Sequence, residues 1–93
     1  MDNNINMKKE KKDIKIVILQ RGWIYIGEYY QEGDNCRLEN AKVIRRWGTT
    51  KGIGQLAIEG KQEGTILDEA GTVRFHQLTV VNTIDCDSSK WEL

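Results

Sequence analysis

At 93 residues the chain has room for one domain and not two. Its 14 lysines and arginines balance 14 aspartates and glutamates, which argues against a dedicated duplex-DNA binder, because such proteins carry excess positive charge to displace counterions from phosphates. No apolar run approaches the roughly 20 residues that cross a bilayer, and the polar start shows no secretory leader, so the expected setting is cytoplasmic, without membrane contact.

Residues 1–12 (MDNNINMKKEKK) are rich in Asn and Lys and cannot bury an apolar face, which predicts a flexible polar tail ahead of a single β-rich domain over residues 13–93. The β-branched run Ile14 to Gln20 suits a first strand, and Arg21-Gly22 a tight turn. Trp23 to Tyr30 then alternates as a second strand, with Gly27 marking a bulge or bend inside it. Gln31 to Asn35 supplies Gly and Asp for a hairpin turn, and Cys36 to Trp47 a third extended stretch with a break near Glu39-Asn40. Between Gly48 and Gly60 a short helix is expected, capped by Thr49 or Thr50, with Leu56 and Ala57 facing inward and Gly60 ending it. Lys61 to Gly71 reads as an exposed connection. Thr72 to Cys86 returns to alternation, as two strands with a break near Gln77-Leu78, and Trp91 can dock the C-terminus. The fold class that follows is mainly β: a small curled sheet or SH3/Sm-like barrel of about five strands with one short helix.

The densest candidate site is the run Arg45, Arg46, Trp47, Gly48, Thr49, Thr50, Lys51 and Gly52. Paired guanidiniums suit phosphate or carboxylate oxygens, an indole offers a flat surface for a base, and glycines and hydroxyls can present donors to an anion. The spacing is not that of a P-loop. The same run reads equally as a core tryptophan, a helix cap and surface charges. Arg21, Trp23, Tyr25 and Tyr29 form a second candidate, either an exposed stripe for stacking or a partner, or one face of the core.

Catalytic groups are few. His76 is the single histidine and suits a structural hydrogen bond on a strand, and no serine sits in a nucleophile-elbow motif. Asp85 and Asp87 lack further ligands for a cation. Cys36 and Cys86 form no C-x-x-C pair and suit buried thiols, with a disulfide between them left open. No catalytic residue, resident metal or cofactor is expected. A domain this small hides only about two-thirds of the surface of its unfolded chain, and self-association is a common remedy, so a homo-oligomer is expected.

The progression VILQRGWIYIGEY, CRLENAKVIRRWGTTKGIGQLAIEG and VRFHQLTVVNTIDCD resembles a family of short proteins encoded by bacteriophages and prophages, over roughly Ile16 to Trp91. Its marks are Gly27, the Leu38–Ala41–Arg45–Trp47 stretch, Leu56-Ala57 with Gly60, and Ile84–Cys86. The resemblance implies a viral accessory protein of the infected bacterial cytoplasm. The expected function is sequestration, without catalysis, of a nucleotide-derived small molecule such as a host immune signal. An Sm-like ring on single-stranded RNA, and a protein-binding inhibitor or structural subunit, are the alternatives.

Overall fold

The computed structural model describes residues 13–93, so the expected N-terminal tail lies outside the described residues. The elements in chain order are β1 (Ile14–Leu19), β2 (Ile24–Glu32), β3 (Asn35–Arg46), α1 (Gly54–Glu59), β4 (Ile66–His76) and β5 (Val80–Asp85). All strand pairings are antiparallel, in one sheet of order β4-β3-β2-β1-β5. The mainly β expectation of five strands and one short helix therefore holds. The sheet curls but is not closed: β4 and β5 are its two edges, joined by a 3-10 turn over Gln77–Thr79.

The turns follow from residues that tolerate positive φ. Arg21 (φ 70°) and Gly22 (φ 83°) reverse the chain between β1 and β2. Gly33 (φ 61°) does so between Glu32 and Asn35, which pair across a two-residue hairpin turn. A line of irregularities also crosses three neighbouring strands. The β2–β3 register shifts around Gly27, Asn40 in β3 takes φ 52°, and Gly71 in β4 takes φ 72° opposite Ala41. A Cβ at Gly27 would lie 3.0 Å from the Leu38 Cβ and 3.2 Å from the Ala41 Cα, so the close approach of β3 requires glycine there. Bulges in register on adjacent strands form a crease, and the crease bends the sheet.

Alternation along the strands builds an apolar cluster on each face of the sheet. Ile14, Ile16, Ile26 and Ile44 face Leu56 and Ala57 of α1 and the side chain of Trp91. Val17, Leu38 and Ala41 occupy the other face. Val73 and Phe75 of one edge strand and Val80 of the other pack against this second cluster. A flat sheet would hold those edges about four strand spacings, roughly 19 Å, apart, so their shared cluster reflects the curl. Hydrogen bonds also tie the β2–β3 hairpin to the end of β4. Gln77 donates from its backbone N to Asp34 O at 2.9 Å and from Nε2 to Asp34 Oδ1 at 3.0 Å, while Gln31 Nε2 donates to Gln77 Oε1 at 2.8 Å.

Two expectations need correction. Ile66 to Gly71, expected as part of an exposed connection, is the first half of β4. It is held by cross-strand charge pairs, Lys42 with Glu69 and Arg45 with Asp68, and Leu67 and Ala70 pack on the first and second clusters respectively. Neither Thr49 nor Thr50 caps the helix. Ile53 precedes α1 without a side-chain cap, and the Gln55 Oε1 instead accepts from the backbone N of Thr50 and of Lys51, each at 3.0 Å. The expected end at Gly60 holds: its φ is 88° and its N–H donates to Leu56 O at 3.0 Å.

Cys36 and Cys86 are both free thiols, Cys36 buried and Cys86 partly so. Burial pushes the Cys86 thiol up to about 12. Burial, aided by the hydroxyl's contact with the Cys36 sulfur at 3.4 Å, pushes Tyr29 up to about 12. A hydrogen bond to Asp85 raises Lys15, with burial opposing it. All three groups hold their protons more tightly folded than unfolded. Their stabilisation is therefore complete below the unfolded values, about 9 for the thiol and 10 for the phenol, and is lost as the pH rises through the folded ones. Urea midpoints should fall steadily between pH 9 and 12, with Cys86 unreactive to iodoacetamide at pH 8 until urea is added. A flat midpoint or a fast-reacting Cys86 in the native protein would contradict this reading.

Candidate functional site

In the loop and strand end from Arg45 to Gly52, several polar groups are held in internal contacts. Arg45 is exposed and engages Asp68 through Nε at 2.7 Å and Nη2 at 3.4 Å, and this partner raises its pKa. The β3–β4 ladder shifts between Ile44 and Arg46, and Arg46 is exposed. Trp47 is 40% exposed, and its carbonyl accepts from Thr65 Oγ1 at 2.7 Å. Thr65, only 5% exposed, also accepts at Oγ1 from Gln62 N at 2.9 Å, which closes the neighbouring loop. Gly48 (φ 65°) lies against the backbone of Gly64. The Thr50 and Lys51 N–H groups, which an anion would need, both point at the Gln55 amide oxygen. Gly52 accepts from Gln55 N at 3.2 Å, and Thr49 makes no polar contact with another described residue. Two exposed arginines and a partly exposed indole remain at the surface, beside a loop in which Gln55 takes the Thr50 and Lys51 N–H groups.

The aromatic group divides. Trp23 is 56% exposed and stacks on Tyr25, with centroids 6.4 Å apart and planes 17° from parallel. Tyr25 and Tyr29 pack against the second cluster, where Tyr29 meets Phe75 and donates its hydroxyl to Gln31 Oε1 at 2.8 Å. Arg21 sits exposed in its turn. His76 serves the fold, because its Nδ1 accepts from Leu78 N at 3.0 Å and caps the turn between β4 and β5. No group of three or more His, Cys, Asp or Glu suited to a metal occurs among the described residues.

Another opening lies elsewhere, between the first face of the sheet and the C-terminal segment. Three contacts dock that segment on α1. Asp87 N donates to Ala57 O at 2.8 Å, Trp91 Nε1 donates to Leu56 O at 3.0 Å, and Gly60 abuts the backbone of Lys90. A Cβ at Gly60 would lie 3.0 Å from Lys90 O, so the helix end and the C-terminus approach closely. A cleft of about 340 Å³ remains beside this junction. Lys42 of β3, Lys61 just beyond α1 and Lys90 of the C-terminal turn line it, together with Glu69 and Glu92. Leu67 and the edge of Trp91 form its apolar wall.

Three lysines against two glutamates leave one net positive charge in this cleft. Lys42, whose side chain is 18% exposed, pairs with Glu69, whereas Lys61 and Lys90 find no ion-pair partner among the described residues. Partial enclosure lowers the local dielectric and strengthens the pull on an anion. The size falls at the lower end of the range for small-molecule sites. None of the three lysines stood out in the sequence, because more than half the domain separates the first from the last. The only sequence signal is the Lys-Trp pair at Lys90-Trp91, where an amphipathic anchor brings a cation with it. No protein-family model matches this chain, and no curated protein is significantly similar to it, so these comparisons leave the resemblance to phage-encoded proteins without support or contradiction.

Proposed function

We propose that this protein is a binding module that retains a small anionic molecule, of mononucleotide or sugar-phosphate size, without transforming it. The observation that carries this reading is the convergence of Lys42, Lys61 and Lys90, from three separate parts of the chain, on one cleft with an apolar wall. An ammonium supplies three hydrogen-bond donors and a charge, which is enough to hold a phosphate or carboxylate. Leu67 and Trp91 give the uncharged part of the ligand a surface to cover. Retention needs affinity alone: a ligand held well above its dissociation constant is removed from solution by mass action. The size of the cleft suits one nucleotide better than two, which narrows the nucleotide-derived ligand expected from the sequence.

AMP is the probe of choice, titrated by calorimetry at low salt because screening weakens exposed lysines. The double variant Lys61→Ala, Lys90→Ala should lose at least about tenfold in affinity, since each charge-assisted hydrogen bond contributes about 1.5–3 kcal/mol. The variant Arg45→Ala should bind as the parent does, because that guanidinium is engaged by Asp68. Equal affinity in the folded double variant, or a loss confined to Arg45→Ala, would move the site away from the cleft.

A further inference from the structure

Farther along β3 and β4, two like charges face each other across the ladder. Arg37 stands directly opposite Arg74 in the antiparallel register, a placement that destabilises a sheet when nothing negative lies between the charges. Arg37 is fixed in position. Its Nε donates to Glu39 Oε2 at 2.7 Å, and its guanidinium lies 4.3 Å from the centroid of the Tyr30 ring. Arg74 is exposed and finds no carboxylate partner among the described residues. The two arginines share a small cleft of about 60 Å³ with Asn35 and Glu32.

We infer that Arg37 and Arg74 form a second binding site, independent of the lysine cleft, for the carboxylate group of a small organic acid. The cleft has room for about two waters, the bulk of a carboxylate. Two guanidiniums suit the planar, forked geometry of that group. Glu32 in the lining and Glu39 against Arg37 leave too little positive charge for a dianion, which favours carboxylate over phosphate. Asn35 offers an amide to the same cleft. A bound carboxylate turns the opposed arginines from a repulsive pair into a clamp.

The test follows the side-chain Nε–Hε signals of the arginines by NMR, at pH 7 and low salt, during titration with acetate, phosphate and chloride. Acetate should give saturable shifts at Arg37 and Arg74, tighter than phosphate, and the variant Arg74→Gln should abolish them. Without acetate, the same variant should raise the thermal midpoint by about 2–4 °C, because it removes the like-charge opposition. A merely structural arginine would lower the midpoint, and that result overturns the proposal. Shifts that grow linearly and equally with acetate and chloride also overturn it, as does tighter binding of phosphate. AMP affinity in the Arg74→Gln variant should match the parent, which separates this site from the lysine cleft.

Discussion

Replacing Gly48 with alanine should destabilise the protein by about 3 kcal/mol or more, which makes it one of the costliest single changes available. Two effects combine. Gly48 has φ 65°, where a side chain alone costs roughly 1–2 kcal/mol. Its Cβ would also lie 2.0 Å from the carbonyl carbon and 2.3 Å from the carbonyl oxygen of Gly64, both backbone atoms that no rotamer change can move. The two segments must separate, and the Thr65 hydroxyl then loses the Trp47 carbonyl it meets at 2.7 Å. Gly33 provides the control. Its φ is 61°, yet a Cβ there meets nothing within 4 Å, so Gly33→Ala should cost only about 1–2 kcal/mol. Urea unfolding of the two variants compares them directly. Equal losses would mean that backbone conformation matters and the close packing of Gly48 on Gly64 does not.

Trp91→Ala should be comparably severe, at about 3–5 kcal/mol. The residue is 7% exposed in the first core cluster, and its indole N–H reaches the Leu56 carbonyl at 3.0 Å. Removing it opens a cavity beneath α1 and frees the C-terminal segment that carries Lys90. A small domain has only about 5–15 kcal/mol of stability in all, so the variant should be substantially weakened and should lose the cleft with it. Trp91→Phe separates the contributions. The ring's packing is mostly retained, and the Leu56 carbonyl still accepts from Gly60 N at 3.0 Å, so the cost should be nearer about 1 kcal/mol. Thermal and urea unfolding of the pair test this, and a mild Trp91→Ala would contradict a core role for the C-terminus.

The parts of the fold that were legible in the sequence are those with local physical causes. The alternation of Ile14, Ile16 and Val17, the Gly33 hairpin, the bulge at Gly27 and the interruption at Gln77 all arise from period-two burial or from backbone preference. Leu56, Ala57 and Gly60 fall where the helical reading puts them. What was not legible depends on partners distant in sequence. Residues 66–71 look like a connection because Asp68 and Glu69 dominate them, and only the facing Arg45 and Lys42 make a charged strand reasonable. The expected threonine cap is absent because Gln55, inside the helix, supplies the acceptor instead.

The same distinction governs the sites. Arg45 to Gly52 is the richest run of anion-binding groups in the chain, and a contiguous run is what a sequence displays. Folding gives Arg45 to Asp68 and two backbone donors to Gln55. It gathers Lys42, Lys61 and Lys90 instead, each unremarkable alone, by docking the C-terminus against the end of α1. Arg37 and Arg74 become neighbours only through the strand register.

Anion binding in the lysine cleft is tested most directly by a backbone-amide NMR titration of the full chain with AMP at low salt. Saturable shifts concentrated at Lys42, Lys61, Leu67 and Lys90 through Glu92, with little change from Arg45 to Gly52, are the predicted result. Shifts centred on Arg45 to Gly52, or no saturable shift at all, would contradict it.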